Sequence, residues 1–173
     1  MADWNSIVHE NTPRVWGTAW RLLANQADAA DCFQETFLAA LEISRRETVR
    51  NWSALLVKIA TARAVDRLRS RLRRSEANGD PVGWETFPSP KAGPAEAAQD
   101  RELGAQLRRV LAELPEPQNT VFSLRFLSEW SYAEIARELG MTVSAVGVMI
   151  HRTRGHLRER LASLVARPNE VEP

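Results

Sequence analysis

The chain has 173 residues, 44% of them hydrophobic and 26% charged, with a formal net charge of +1; this is the balance of a soluble globular protein built as one domain or two small ones. Its single cysteine, Cys32, permits no intrachain disulfide and no Cys-rich zinc site, which fits a reducing cytoplasm. No apolar run reaches bilayer length, and the opening Met1-Ala2-Asp3-Trp4 lacks the basic start and apolar core of a secretion signal, so membrane insertion and export are not expected.

The near-zero total conceals blocks of opposite sign. Residues 1–43 hold two Arg against six acids, net −4, whereas residues 44–74 hold nine Arg and one Lys against Glu47 and Asp66, net +8. Residues 75–102 return to net −4, residues 103–167 carry net +3, and the tail 168–173 adds −2. A basic block between acidic ones predicts two kinds of partner surface. Its cations are almost all Arg, whose planar fork suits phosphates and base edges.

Strand signals are almost absent, and helical spacing dominates. Thr12-Pro13 reads as an N-cap followed by proline at the first helical position, with Trp16, Ala19, Trp20 and Leu23 on the inner face. Asn25 to Asp28 reads as a turn. A second helix from Asp28 to about Leu41 has the stripe Ala30, Phe33, Phe37 and Leu41, and a third runs from Trp52 to about Arg74 with Val65, Leu68 and Leu72 inside. Between Glu76 and Pro94 three glycines and four prolines resist regular structure. This linker also holds Trp84 and Phe87, which predicts that part of it docks. Helical spacing resumes at Leu103, Leu107, Val110, Leu111 and Leu114 and stops at Pro115-Glu116-Pro117. A short helix follows over about Gln118 to Leu127. Ser131 and Glu134 then fit a capping box, with Trp130 and Ile135 as its hydrophobic staple. Tyr132, Ile135, Ala136 and Leu139 form the inner face of the capped helix, and Gly140 ends it. Thr142 caps the last helix, which runs to about Leu161 with Val146, Ile150 and Leu157 inside.

Three constellations carry chemistry. The first is Tyr132–Arg154, a short helix, a glycine turn and a longer helix, which is the helix-turn-helix pattern. An ordinary helical hairpin has the same outline. Arg152, Arg154, Arg158 and Arg160 crowd the far half of the second helix and suit phosphate contact. Its first half, with Ser144, Ala145, Gly147, Val148 and Met149, offers no bidentate base reader, and Gly147 costs up to about 1 kcal/mol of helix propensity. The second constellation is a basic helix: Arg63, Arg67, Arg71 and Arg74 share one face, Lys58, Arg69 and Arg73 flank it, and Arg45, Arg46, Arg50, Asn51 and Trp52 precede it. Cations beside an aromatic suit opened nucleic acid, where a base can stack. The alternative is a solvated face, with only Asp66 and Glu47 nearby in sequence as partners. The third is acidic: Asp28, Asp31 and Glu35, with Gln34 beside them. With no histidine and no wrapping loop, a metal is not expected there. A basic protein surface is the favoured partner, and carboxylates drawn to a helix start by its dipole are the alternative. The histidines His9, His151 and His156 form no catalytic or metal motif, and no nucleophile elbow, phosphate loop or dinucleotide motif is present. No enzyme activity and no cofactor are therefore expected.

Taken together, these stretches resemble a bacterial RNA polymerase sigma factor of the small, two-domain extracytoplasmic-function type, over about residues 5–74 and 101–165. Asp28-Ala29-Ala30-Asp31-Cys32-Phe33-Gln34-Glu35-Thr36-Phe37 resembles the family's polymerase-binding helix. Leu55 to Ala60 with Asp66-Arg67-Leu68-Arg69 resembles the helix beside the minus-ten element. Leu114-Pro115 through Arg125, then Tyr132 to Ala136 and His151 to Arg154, resembles the domain that reads the minus-thirty-five element. The resemblance implies an all-α fold of two small helical domains joined by a Pro/Gly-rich linker: 1–74 a region 2-like domain, 75–101 a flexible linker, 102–167 a region 4-like helix-turn-helix domain and 168–173 a tail. It implies core RNA polymerase and promoter DNA as partners and admits an anti-sigma factor. It implies polymerase binding at Asp31, Gln34 and Glu35, and minus-ten contacts at Arg50, Asn51, Lys58, Arg63 and Arg67. Minus-thirty-five contacts fall at Ser144, Ala145, Val148, Arg152 and Arg154. The sequence departs from the family where Leu55 replaces a usual tryptophan, where Ala62 replaces an asparagine, and where Gly147 and Met149 replace a basic pair. The rival expectations are a stand-alone helix-turn-helix regulator of duplex DNA and a helical adaptor.

Overall fold

The computed structural model describes residues 3–79, 81–85 and 94–165. Every regular element among them is helical: α1 Trp4–Leu23, α2 Gln26–Ser44, α3 Trp52–Asn78, α4 Pro94–Glu113, α5 Glu116–Phe122, α6 Tyr132–Leu139 and α7 Val143–Val165, with a π-helical turn over Ser123–Leu127. The expected all-α architecture is what forms. Phe87 and the tail 168–173 lie outside the described residues.

The first helix starts earlier than Thr12-Pro13 suggests. Asp3 is its N-cap, accepting from the Asn5 and Ser6 amides, and Pro13 lies inside it. The turn before the proline is held by side chains, Asn11 Nδ2 donating to Ile7 O at 2.8 Å and Thr12 Oγ1 to Val8 O at 2.7 Å. Burial of Ile7 and Val15 on either side of the proline ties both segments to one core, which outweighs the local cost of an interior proline. Ala24 ends α1 in the left-handed conformation, and Asn25 caps α2 through the Asp28 amide.

The inner line of α2 is Ala29, Cys32, Thr36 and Ala40, each one register from the stripe Ala30, Phe33, Phe37 and Leu41, whose residues are half-buried. Small side chains let α2 approach α3 closely. The Cys32 thiol lies 3.6 Å from Ala60 O, and the aromatic rings pack along the edge of the contact. Burial pushes that thiol up to about 11, as desolvation of a would-be thiolate requires. On α3, Val65 and Leu68 are buried and Leu72 packs beside them, as the spacing predicts.

Both ends of the expected linker are helical. α3 continues to Asn78 and is closed by Gly79 at φ 70°, and α4 begins at Pro94 rather than near Leu103. Leu103 is exposed, so the inner face of α4 is formed by Val110 and Leu111, with Leu107 half-buried and Leu114 just past the helix end. Between α3 and α4, residues 81–85 are docked. Glu85 N donates to Ala24 O at 2.8 Å, while its carboxylate accepts from Asn25 Nδ2 and the Gln26 amide. Trp84 is held between the guanidinium groups of Arg71 and Arg108, 4.8 and 5.3 Å from its ring. Burial, together with the like charge of Arg71, lowers the pKa of Arg108.

The two halves therefore share cores. One cluster joins Leu22, Leu23, Ala64 and Leu68 to Val110, Leu111, Leu114 and Leu157, and a second joins Ala54 and Val57 to Val121, Leu124, Ile135 and Ile150. Arg69 donates to the Ala112 and Leu114 carbonyls at the end of α4, and Arg21 donates to Leu127 O. These bonds satisfy carbonyls that a helix end leaves open.

The helix-turn-helix forms as the sequence predicts. The Glu134 amide donates to Ser131 Oγ at 3.2 Å, and the Ser131 amide donates to Glu134 Oε2 at 2.8 Å. Gly140 takes φ 63°, and Thr142 Oγ1 accepts from the Ala145 amide at 3.1 Å. Ile135, Ala136, Val146, Ile150 and Leu157 are buried. Tyr132 sits at the edge of this core, 36% exposed, with its ring against Gly147.

Candidate nucleic-acid and polymerase interface

α2 and α3 run antiparallel, and this orders the acidic and basic faces against each other. Arg63 Nη1 donates to Glu35 Oε2 at 3.0 Å, and Arg67 bonds the other Glu35 oxygen while standing 3.8 Å from Asp31. Arg71 lies 3.5 Å from Asp28 and also donates to the carbonyls of Leu23 and Gly83. The result is a ladder in which acids at i, i+3 and i+7 meet arginines at i, i+4 and i+8. Beyond Asp66 and Glu47, the partners nearby in sequence, the carboxylates that meet these arginines come from the neighbouring helix. Among the described residues no group of three or more His, Cys, Asp or Glu is placed to hold a metal.

The polymerase-facing residues of the sequence reading are brought together. Asp31 and Gln34 are exposed on one face of α2, and Glu35 is half-buried at its edge under the arginines. Leu38 extends that face one turn further and is 61% exposed. The sequence reading missed it; an apolar residue seven positions after Asp31 on a polar face was the available signal.

The minus-ten set divides. Arg50 and Lys58 are exposed, while Arg63 and Arg67 are held in the ladder. Asn51 is spent structurally: its side chain accepts from the Ala54 amide at 3.1 Å and caps α3. The loop before α3 borders an open groove of about 920 Å³, walled by Trp4, Leu41 and Trp52 and rimmed by Arg45, Arg46 and Glu47. Trp4 and Trp52 meet edge to face at 5.1 Å. Two Trp and two Arg side chains in one open lining are the residue types that take an unstacked base and its phosphate.

The minus-thirty-five set lies on one helix. Ser144, Val148 and Arg152 recur every fourth residue of α7 and are exposed; Arg154 is exposed on the other flank of the helix, and Ala145 is half-buried. Arg160 is withdrawn from the basic cluster by a two-bond pair with Glu113 of α4, at 2.9 and 2.6 Å, which holds its pKa above the ordinary value. Arg152, Arg154 and Arg158 have no ion-pair partner among the described residues.

Comparison with known proteins agrees with this geometry. The Sigma-70 region 2 family matches residues 7–74, and the Sigma-70, region 4 family matches residues 104–157. The chain is 33% identical over 163 residues to the ECF RNA polymerase sigma factor SigE of Mycolicibacterium smegmatis, covering 94% of this chain and 63% of that protein. It is 30% identical over 165 residues to the ECF RNA polymerase sigma factor SigW of Bacillus subtilis, covering 91% and 88%. Among solved structures, the fold is similar to the sigma factor RpoE of Bartonella quintana, crystallised with the anti-sigma factor NepR. The TM-score is 0.58 at 20% identity, covering 94% of this chain and 98% of that one. No described helix is long and apolar enough to cross a membrane.

Proposed function

The chain belongs to the ECF RNA polymerase sigma factors, and from that premise we propose that it binds core RNA polymerase, carries it to particular promoters and helps to open them. The observation that carries this reading is the pairing of two unlike surfaces in one small chain. An acidic face with an exposed apolar residue at its end, Asp31, Gln34, Glu35 and Leu38, suits a basic protein partner. An arginine-bearing recognition helix and an aromatic groove suit duplex and unstacked DNA respectively.

In this mechanism the polymerase engages α2, the groove before α3 holds an unstacked base of the minus-ten strand, and α7 enters the upstream major groove. Opening DNA costs unstacking energy that captured bases offset. Each DNA contact alone is weak. Both lie on one chain whose halves share cores, and polymerase would set their separation to that of the two promoter elements, so that the two contacts act together. Arg50 and Lys58 are the free minus-ten cations, and Arg63 and Arg67 join them to the extent that polymerase engages Glu35 and Asp31. The protein acts in the cytoplasm as a binding factor, and the reading admits an anti-sigma factor as a regulatory partner.

Reconstituted initiation tests the proposal. Core polymerase with this chain gives transcripts from a selected promoter, and neither component does so alone. Absence of any promoter-directed transcript, together with no retention of core polymerase, refutes it and leaves the stand-alone regulator or the adaptor.

A further inference from the structure

The outward side of α7 changes character along its length. Its second half presents Arg152, Arg154 and Arg158, all exposed. One turn before Arg152, on the same line, stands Val148, 48% exposed, and one turn earlier Ser144. The residues beneath, Val146 and Ile150, are buried in the helix-turn-helix core, so Val148 is not needed to fill it. The adjacent Gly147 faces the Tyr132 ring, 3.7 Å from where a Cβ would stand, and Arg125 lies over that ring at 5.6 Å. Val148 thus points to solvent on the line of Arg152, with Arg158 and Arg154, unpaired among the described residues, further round on its other flank and the exposed Glu159 beyond Arg152.

A valine can neither donate nor accept a hydrogen bond, so it cannot read a base by the usual bidentate pairing. The major groove carries one apolar feature, the C5 methyl of thymine. The arginines that follow set the occupant: a surface with an apolar centre and a cationic flank complements a methyl group lying between phosphates. We propose that Val148 reads a thymine in the upstream promoter element through its C5 methyl group, with Arg152, Arg154 and Arg158 gripping the flanking phosphates. This rests on the reading that α7 enters the major groove, and it gives a helix that lacks polar base readers a means of choosing sequence. A docking site for another protein is the competing use of the same valine.

The test uses the chain bound to core polymerase and a promoter selected from random upstream sequence. Each upstream thymine is replaced in turn by deoxyuridine, which removes only the methyl and leaves every hydrogen-bonding edge intact. The expected result is one position at which the wild-type complex loses about fourfold in promoter affinity, the factor that burial of one methyl-sized group gives. Val148→Ala loses a similar factor on the thymine template and is indifferent to deoxyuridine at that position. Val148→Ser, which leaves helix propensity about as valine has it where alanine raises it, behaves as the alanine variant, so the loss follows the apolar contact and not the helix propensity. The inference is overturned if no replacement matters, if wild type and Val148→Ala respond alike at every position, or if the selected upstream element contains no thymine. Failure of the underlying reading is distinct: deleting the whole upstream element then changes nothing, or no initiation occurs at all.

Discussion

Arg63, Arg67 and Arg71 of α3 close onto Glu35, Asp31 and Asp28 of α2, whereas Arg152, Arg154 and Arg158 of α7 meet no carboxylate among the described residues. Both helices read as basic faces in sequence. What separates them is the neighbour. α3 lies antiparallel to an acidic helix whose spacing matches its own, while α7 packs on α4, α5 and α6 and, among the described residues, meets a carboxylate only where His156 and Arg160 approach Glu113. A run of cations thus states a charge, and only the adjoining helix states whether that charge is available to DNA.

Four experiments break or sharpen this contrast. The largest effect is expected from Asp31→Arg combined with Glu35→Arg, which sets like charges against α3 and against a basic partner. Retention of core polymerase falls on the order of a hundredfold, since like-charge contact costs several kcal/mol. Unchanged retention in a pull-down would reduce the carboxylates to structural partners of the arginines. Next is Arg152→Ala, which lowers promoter affinity of the polymerase complex by about tenfold or less and reduces the salt slope by about 1, with no change in Tm. An altered Tm would place Arg152 in the fold rather than at DNA. Arg67→Met, unlike Arg152→Ala, reads out on the stability of the free chain. Removing its partly exposed pairs to Glu35 and Asp31 costs about 1 kcal/mol at most after solvent screening, seen as a Tm loss of about 2–4 °C.

The fourth and smallest effect concerns the seam beneath the ladder. Cys32 is fully buried and its thiol is pushed up to about 11 from 9.0. Iodoacetamide at pH 8 therefore labels the native chain far more slowly than the denatured one. The sign of the pH dependence follows from the raised value: the folded state holds the proton more tightly, so stability is intact below pH 9.0 and declines toward pH 11. Rapid labelling of the native chain at pH 8 would mean that α2 and α3 separate readily.

Much of the second half was legible residue by residue. Ser131, Glu134, Gly140 and Thr142 are local signals whose chemistry acts within a few positions, and each sits in the structure as that chemistry requires. The departures share one cause, tertiary packing. Pro13 reads as a helix start because the cost of an interior proline is local, while the burial of Ile7 and Val15 that offsets it is not. The α2 stripe is off by one register because large aromatic residues draw the eye, although a close helix pair needs Ala29, Cys32, Thr36 and Ala40 at its centre. Trp84 is visible as a docking residue, but its two guanidinium neighbours lie 13 positions before and 24 after it in sequence. That Asp31, Gln34 and Glu35 share one side of α2 could be read from their spacing, and Leu38 from the same spacing; the capping duty of Asn51 could not, since it depends on where neighbouring backbone lies.

The shared cores and the ladder together imply that the free chain keeps part of its basic surface occupied and its two halves close. The most direct measurement is the affinity of the chain for a fluorescently labelled selected promoter at fixed salt, alone and with core polymerase. The account predicts weak binding alone and tight, sequence-dependent binding when polymerase is added. Tight and selective binding by the chain alone would contradict it.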